Sequence, residues 1–296
     1  MHPTLDRVGN RAKREVLAKV PLAAWVSRHR HNARLVRHAP DLPPLDDDAA
    51  ALVDTLRSDG VAYTTLDALD PVGAAELKRE LSAFAASLAA RERGSQSITW
   101  VERAELLENS DVWRWGLNER MLAIAENYIG LPITYFGGFV ARQLADGKAV
   151  GDRQWHRDIE DRRMLKILIW LEDVGPDGGA FEYVARDPTI GAARRLRYVG
   201  GFLKDEAVAD VIDAKDTRKA TGPQWTAVLA DTAQIFHRAG RPTSGDRYSV
   251  TFTWSSQSPL KTIPSEPFTP EQAHRVRAGL NERQLSVLPI SLRTAR

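Results

Sequence analysis

The sequence predicts a mostly β core with flanking helices, closed as an antiparallel sandwich or barrel. Three observations carry that expectation. The β-branched and aromatic runs "ITYFGGFVARQL", "MLKILIWLEDV", "GAFEYV", "TAVLA", "AQIFH" and "RYSVTFTWSS" all fall between about residues 131 and 257. Gly, Asp and Pro turns separate them, and most have no helix between them, which favours antiparallel pairing. The stretches before and after show helix spacing instead, so the order is helices, β core, helical tail.

Each element follows from local signals. Helix-like periodicity runs from about Asn10 to Val36 and meets the Pro-rich break "APDLPPLDDD". "DDDAAALVDTLRSDG" is a helix opened by acids and stopped by Gly60. "VAYTTL" is a short strand, "PVGAAELKRELSAFAASLAARERG" a long helix with Gly94 at its end, and "VWRWGLNERMLAIAENYIG" another closed by Gly130 and Pro132. Residues 186–224 form an arginine-rich insertion within the β core. A last helix begins at "TPEQAH", with Thr269 as N-cap, Pro270 at the first position and Gln272 three residues after the cap. The expected organisation is a basic helical arm over 1–40 and a single domain over 41–296, with a β core at about 131–257 and a helical tail over 264–296.

The chain has 296 residues, 43% hydrophobic and 27% charged, a soluble globular composition. No run approaches the roughly 18 apolar residues of a membrane span. Cysteine is absent, which excludes disulfides, thiolate metal sites and cysteine nucleophiles, so any metal must be held by His, Asp and Glu. That absence fits a reducing compartment, and the cytoplasm is the expected location. The net charge of +2 hides an asymmetry: residues 1–38 hold nine Lys or Arg against Asp6 and Glu15, a local +7, leaving −5 for the remainder. This end is Arg-rich and acid-poor like a transit peptide but has a single serine, Ser27; Lys19 and Pro21 interrupt its only apolar stretch, unlike a secretory signal. It reads as a solvated helical arm, with peripheral contact to an anionic surface as the alternative.

Chemistry concentrates in "QWHRDIED", residues 154–161. Side chains at i and i+2 of an extended segment point the same way, so His156 and Asp158 converge. A second histidine, His237, closes the run "AQIFH" 81 residues after His156. Two histidines and one carboxylate on a β scaffold match the facial triad of non-haem iron(II) oxygenases. A lone His-x-Asp pair also occurs as a surface hydrogen bond, and it is the downstream context that favours metal. Arg247 and Ser249 share a strand face inside "GDRYSVTFTW", and an arginine fork with a hydroxyl suits a carboxylate such as the distal one of 2-oxoglutarate. "GGFVARQLADGKAVG" lacks P-loop spacing, and "ARRLR" has no aromatic interleaving, so no nucleic-acid partner is expected. Trp113, Trp115, Trp170, Trp225 and Trp254 read as core or pocket walls.

The texts "QWHRD", "ILIWLEDVGPDGGAFEYV" and "VLADTAQIFHRAGRPTSGDRYSVTFTW", in that order over roughly residues 131–257, resemble the phytanoyl-CoA dioxygenase-like branch of the iron(II)/2-oxoglutarate-dependent oxygenases. "LVDTLRSDGVAYTTLDAL" is a looser echo. The resemblance implies a double-stranded β-helix (jelly roll), with Fe(2+), 2-oxoglutarate and O2 as cofactors. It places His156, Asp158 and His237 on the iron-ligand positions and Arg247 on the co-substrate arginine. It also implies conversion of 2-oxoglutarate to succinate and carbon dioxide, coupled to hydroxylation of a small-molecule substrate. The presence of Asp158 speaks against halogenation, since related halogenases lack that carboxylate. Lys166 is either a second co-substrate contact or a structural lysine at a strand edge, and Gln143 is a further co-substrate candidate. Where many relatives carry a Pro-Gly-Ser-His-like turn, this chain has "ARDP", which leaves the substrate open. Arg186, Arg194, Arg195 and Arg197 suggest an anionic substrate group, with Trp170 as a further substrate contact. Two rivals stand beside this reading. A cupin-like metal enzyme without 2-oxoglutarate would leave Arg247 and Ser249 without a partner, and a non-catalytic binding protein has no need of a complete triad.

Overall fold

The computed structural model describes residues 20–293 apart from 109, 262 and 264–266. The first half of the basic arm, including the expected helix start at Asn10, therefore lies outside the described residues. Two antiparallel sheets form the centre. The larger has the order β1-β7-β4-β9-β3-β2, and the smaller has β6-β5-β8. In chain order these strands are β1 (Val61–Thr65), β2 (Ile98–Trp100), β3 (Ile133–Gln143), β4 (Met164–Trp170), β5 (Phe181–Val184), β6 (Thr217–Ala220), β7 (Thr226–Asp231), β8 (His237–Ala239) and β9 (Arg247–Ser256).

Alternation assigns the two faces of the large sheet. On β9, Val250, Phe252 and Trp254 are buried in the same hydrophobic core as Leu165, Ile167 and Ile169 of β4. That core is completed by the helices α2 (Asp47–Asp59), α3 (Ala74–Ala90) and α4 (Glu119–Ile129), which cover this face. The intervening residues of β4, Leu168 and Trp170, pack instead against Phe181 and Tyr183 of the small sheet. The intervening residues of β9, namely Arg247, Ser249, Thr251 and Thr253, line a cavity of about 740 Å³ between the sheets. One face of β9 is thus apolar and sealed, while the other is polar and opens on the cavity.

Glycine is required where β3 passes beneath the core. A register shift between Tyr135 and Gly138 marks a bulge there, and Gly137 takes φ 101°. A Cβ on Gly138 would stand 2.6 Å from Phe252 Cε1. Three helix ends follow their expected signals, while α3 stops at Ala90, short of the expected Gly94, because Arg91 turns extended. The Asp46 side chain accepts from Ala49 N at 2.8 Å, Gly60 ends α2 with φ 83°, and Thr269 and Gln272 form a reciprocal capping box.

Several elements differ from the sequence reading. The helix expected across 112–130 is broken, because the Asn118 side chain accepts from Met121 N at 2.8 Å and starts α4 afresh after a 3-10 turn over Trp115–Leu117. The segment "AQIFH" is not a strand. Gln234 N bonds Asp231 O at 3.0 Å, closing a turn, so His237 opens β8 rather than closing a strand. The insertion over 186–224 holds the helix α5 (Arg186–Arg195) and a strand, β6, that pairs with β5.

Phe252 is fully buried, with its ring 4.5 Å from that of Trp115. Phe252→Ala is expected to cost about 3–5 kcal/mol of unfolding free energy, read from denaturant titration. A loss under about 1 kcal/mol would mean the helix layer does not depend on this contact.

Candidate metal centre and its cavity

Backbone pairing brings the centre together. His156 and His237 exchange two N–H···O bonds of 2.9 Å, a hydrogen-bonded antiparallel pair that sets their rings 4.3 Å apart. Asp158 N donates to Thr232 O at 2.9 Å, which holds the carboxylate on the same side. One ligand atom from each of His156, Asp158 and His237 lies within 4.8 Å of the others, a spacing suited to one metal ion. The imidazole orientations suit it too. His156 Nδ1 lies 2.8 Å from Gln154 O and His237 Nδ1 3.2 Å from Ile235 O. A proton on each Nδ1 satisfies those carbonyls and leaves each Nε2 lone pair free for a metal.

The electrostatics keep the set ready to bind. Burial opposes the charge on Asp158, but Lys166 and the two histidines hold its carboxyl well below the usual range. Lys166 Nζ lies 2.7 Å from Asp158 Oδ2, yet that oxygen has no partner of hydrogen-bond geometry. Burial, then the neighbouring His156, pushes His237 well below its ordinary value, so its ring is neutral at neutral pH. Phe202 packs on His156 with ring centroids 5.1 Å apart.

The same cavity contains the other candidates from β3 and β9. Gln143 stands opposite Arg247, and Ala141 opposite Ser249. Arg247 is 2% exposed and donates through Nη1 to Gly179 O, while its Nε has no partner. The Oε1 of buried Gln143 is likewise unpartnered. Among the described residues no carboxylate pairs with Arg247; burial, then the nearby Arg153, pulls its guanidinium down to about 9. Arg153 differs sharply. It is also fully buried, but it donates to Asp146, to Ser97 O at 2.9 Å and to Leu144 O at 2.8 Å. Nε of Arg153 is unpartnered too, but that arginine holds a carboxylate and two carbonyls, whereas Arg247 lines the cavity with one carbonyl partner.

Five residues expected at the substrate do not line this cavity. Trp170 is fully buried, donates Nε1–H to Ala220 O at 3.0 Å, and lies under Arg247 at 5.2 Å, so it supports the arginine from behind. Arg186 bonds Leu56 O at 3.2 Å and Tyr128 Oη at 2.9 Å, besides Arg57 O and Asp231. It clamps α5 to the carbonyl end of α2, where a cation is favoured. Arg194 and Arg195 are exposed on α5, and Arg195 bonds Val211 O. Arg197 is exposed as well, with φ 49°. In their place the cavity wall carries residues that sequence reasoning passed over. Trp100 meets Phe139 edge-on at 6.4 Å, and the carboxylates of Glu102, Asp152 and Glu160 line the same space. Only the alternation of β3 could have pointed to Phe139; the acids carry no spacing signal.

No family model matches the chain, and no curated protein matches it. Solved structures do. The epimerase SnoN, in complex with Fe3+, alpha ketoglutarate and nogalamycin RO, aligns with a TM-score of 0.51 at 18% identity, over 75% of this chain and 93% of that one. EctD from S. alaskensis, with 2-oxoglutarate and 5-hydroxyectoine, aligns at 0.50 and 17% identity, over 84% and 89%. The chain therefore shares the fold of enzymes that hold iron or 2-oxoglutarate.

Asp231 underlies the centre, since its carboxylate accepts from Met164 N at 3.2 Å and Ala233 N at 3.1 Å and shapes the turn that delivers Thr232 and His237. Burial pushes its carboxyl up to about 6. The folded state then holds this proton more tightly than the unfolded chain. The associated stability is complete below about pH 4 and is lost as pH rises through 6, by about 3 kcal/mol. Relative to Asp231→Asn, the natural protein should be more favoured at pH 4 than at pH 7. A melting-temperature difference that does not change with pH would contradict this.

Proposed function

We propose that this protein is an iron(II)- and 2-oxoglutarate-dependent oxygenase that hydroxylates a small molecule. The observation that carries the reading is Arg247, a buried guanidinium with no carboxylate partner, which shares one cavity with a His-Asp-His set. The two sheets read as a double-stranded β-helix, and the three motif stretches favour the phytanoyl-CoA dioxygenase-like branch. The donors fit a 2-His-1-carboxylate iron site: the Nε2 atoms of two histidines, and an ionised carboxylate whose Oδ2 is buried without a hydrogen bond. A cupin-like enzyme without 2-oxoglutarate fits less well, because it leaves the desolvated charge of Arg247 without a counter-ion.

Iron(II) held there would supply the redox chemistry that couples oxidative decarboxylation of 2-oxoglutarate to hydroxylation of a C–H bond. The chain's own residues do the rest. Arg247 neutralises and orients the distal carboxylate of the co-substrate, with the Ser249 hydroxyl and Gln143 beside it. Lys166 keeps Asp158 ionised until metal binds and then stands free to meet an anionic ligand. Leu168, Met164 and Phe181 give the cavity apolar walls that limit water near the reacting atoms. The arginines expected to select an anionic substrate serve α5 or solvent instead. The Trp100–Phe139 pair and the nearby carboxylates favour a substrate with a ring or apolar face and no net negative charge.

Anaerobic addition of iron(II) and then 2-oxoglutarate should give a weak visible charge-transfer band. His237→Ala should lose metal binding, and a variant of full iron affinity would remove the assignment. Arg247→Ala should keep the metal and weaken 2-oxoglutarate binding about tenfold to a hundredfold, the range for losing a hydrogen bond to a charged group. Calorimetric titration giving an unchanged constant would move the co-substrate site to Lys166.

A further inference from the structure

Helix α1 (Pro21–His38) is fixed to the body by one face only. Leu35 packs against the main core, Ser27 Oγ accepts from Arg162 Nη2 at 2.6 Å, and His38 Nε2 lies 3.0 Å from Glu126 Oε1. No residue of the helix is buried. At 100° per residue, Leu22, Trp25, His29, Ala33 and Val36 fall on the opposite side and make an outward stripe. Leu22 is 70% exposed, Trp25 58% and Val36 74%, and the His29 ring stacks on Trp25 at 5.3 Å. Exposed Arg28 lies on one flank of the stripe, and exposed Arg30 and Arg37 lie on the other. Residues 20–38 contain no acid at all.

A groove of about 600 Å³ runs beside the stripe, between α1 and residues 258–260. Leu22, Val26, Pro259 and Leu260 make it apolar in part, and Arg30, Arg34 and Arg162 bring cations to it. Neither Arg30 nor Arg34 has an ion-pair partner among the described residues. The one acid in its lining, Asp161, is already committed, since its oxygens accept from Arg162 N at 2.7 Å and Ser256 N at 2.8 Å. Burial first, and then Arg162, Arg163 and Arg34, hold His31 down to about 4, so this ring in the groove is neutral at neutral pH. The occupant must therefore be both apolar and anionic. A nucleic acid would leave Leu22, Trp25 and Val36 facing water. A second copy of α1 would set arginine against arginine.

We propose that α1 docks this protein onto an anionic phospholipid surface. The Leu22–Trp25–Val36 stripe enters the interface, and the groove of Arg30, Arg34 and Arg162 takes a lipid phosphate. The helix lies on the membrane and does not cross it, for no helix among the described residues is long and apolar enough to span one. The docking is independent of the metal centre.

The test is flotation of the full-length protein with two kinds of vesicle, phosphatidylcholine alone and phosphatidylcholine mixed with phosphatidylglycerol, at about 0.1 M salt. Binding is expected to the mixed vesicles only. Trp25→Asp should weaken it by about tenfold or more, and joint Arg30→Gln and Arg34→Gln by roughly tenfold to a hundredfold. Brominated lipid should quench part of the tryptophan emission, and Trp25→Phe should abolish that part. Both sites of change are exposed or lie at the edge of the fold, and thermal melts that match the natural protein confirm that the variants fold. Equal binding to both vesicle types, or full binding by the folded Trp25→Asp variant, would overturn the proposal. A dimer seen by light scattering and lost in Trp25→Asp would overturn it in favour of self-association. Retention on a mixed-sequence DNA duplex in place of vesicles would overturn it in favour of a nucleic acid.

Discussion

The period of two along β9 constrains everything built around it. Its outward residues, Val250, Phe252 and Trp254, must be apolar because α2, α3 and α4 seal that face. Its inward residues are then free to be polar, and Arg247, Ser249, Thr251 and Thr253 use that freedom to line the cavity. A slip of one residue would bury the arginine beneath helices and turn Phe252 into the cavity. The bulge at Gly137 preserves the register, because β3 must bend beneath Phe252 without moving the Gln143–Arg247 pair. The helix layer thus contributes to function by holding one strand in phase.

The buried charges divide into those that hold the scaffold and those that face the cavity. Arg142 pairs with Asp246 at 2.7 Å and bonds Leu88 O at 2.9 Å, tying β3 to the end of α3. Arg153 and Arg186 close similar long-range gaps with carbonyls and carboxylates. Each of these arginines is anchored by a carboxylate as well as by carbonyls, although Nε of Arg153 and of Arg186 is left without a partner. Arg247 has a single carbonyl partner, Gly179 O, and no carboxylate among the described residues, and Asp158 holds only Lys166. Leaving a buried charged group short of partners costs on the order of 1–3 kcal/mol or more, and such a cost is retained where a ligand recovers it. That contrast distinguishes the site from the scaffold more sharply than cavity shape does.

Much of this was legible in the sequence, for identifiable reasons. The strands of the large sheet, apart from the three-residue edge strand β2, are legible because one face is sealed and apolar. His156, Asp158, His237 and Arg247 were legible because they sit on short motifs whose spacing obeys strand geometry. The turn over Ala233–Phe236 was misread as strand, since its apolar residues look alike in either conformation. What separates the two is the Asp231 carboxylate accepting from Ala233 N, a bond invisible in a hydrophobicity pattern. The helix break at Asn118 was missed for a related reason: the residue is a cap only because its side chain turns back to Met121 N.

The arginines of α5 show where such reading ends. Arg186 and Arg247 are the same residue type, each close after a strand or turn, and nothing local distinguishes them. Arg186 finds its partners on α2 and α4, 58 residues or more away in sequence at Tyr128, and on Asp231 of β7. Those partners absorb its charge and make it structural. Arg247 has the carbonyl of Gly179 but no carboxylate partner among the described residues, because its neighbours across the sheet are Gln143 on β3 and the indole of Trp170 behind it. A charge becomes a binding element here through what the fold withholds from it. The same holds for Lys166 in a milder form: among the described residues its one ion-pair partner is Asp158, a member of the candidate metal set. Under the proposed function, a metal ion held by Asp158 would free the ammonium toward the space that Arg247 faces, and metal binding would then be coupled to the positive charge offered to the co-substrate through this ion pair.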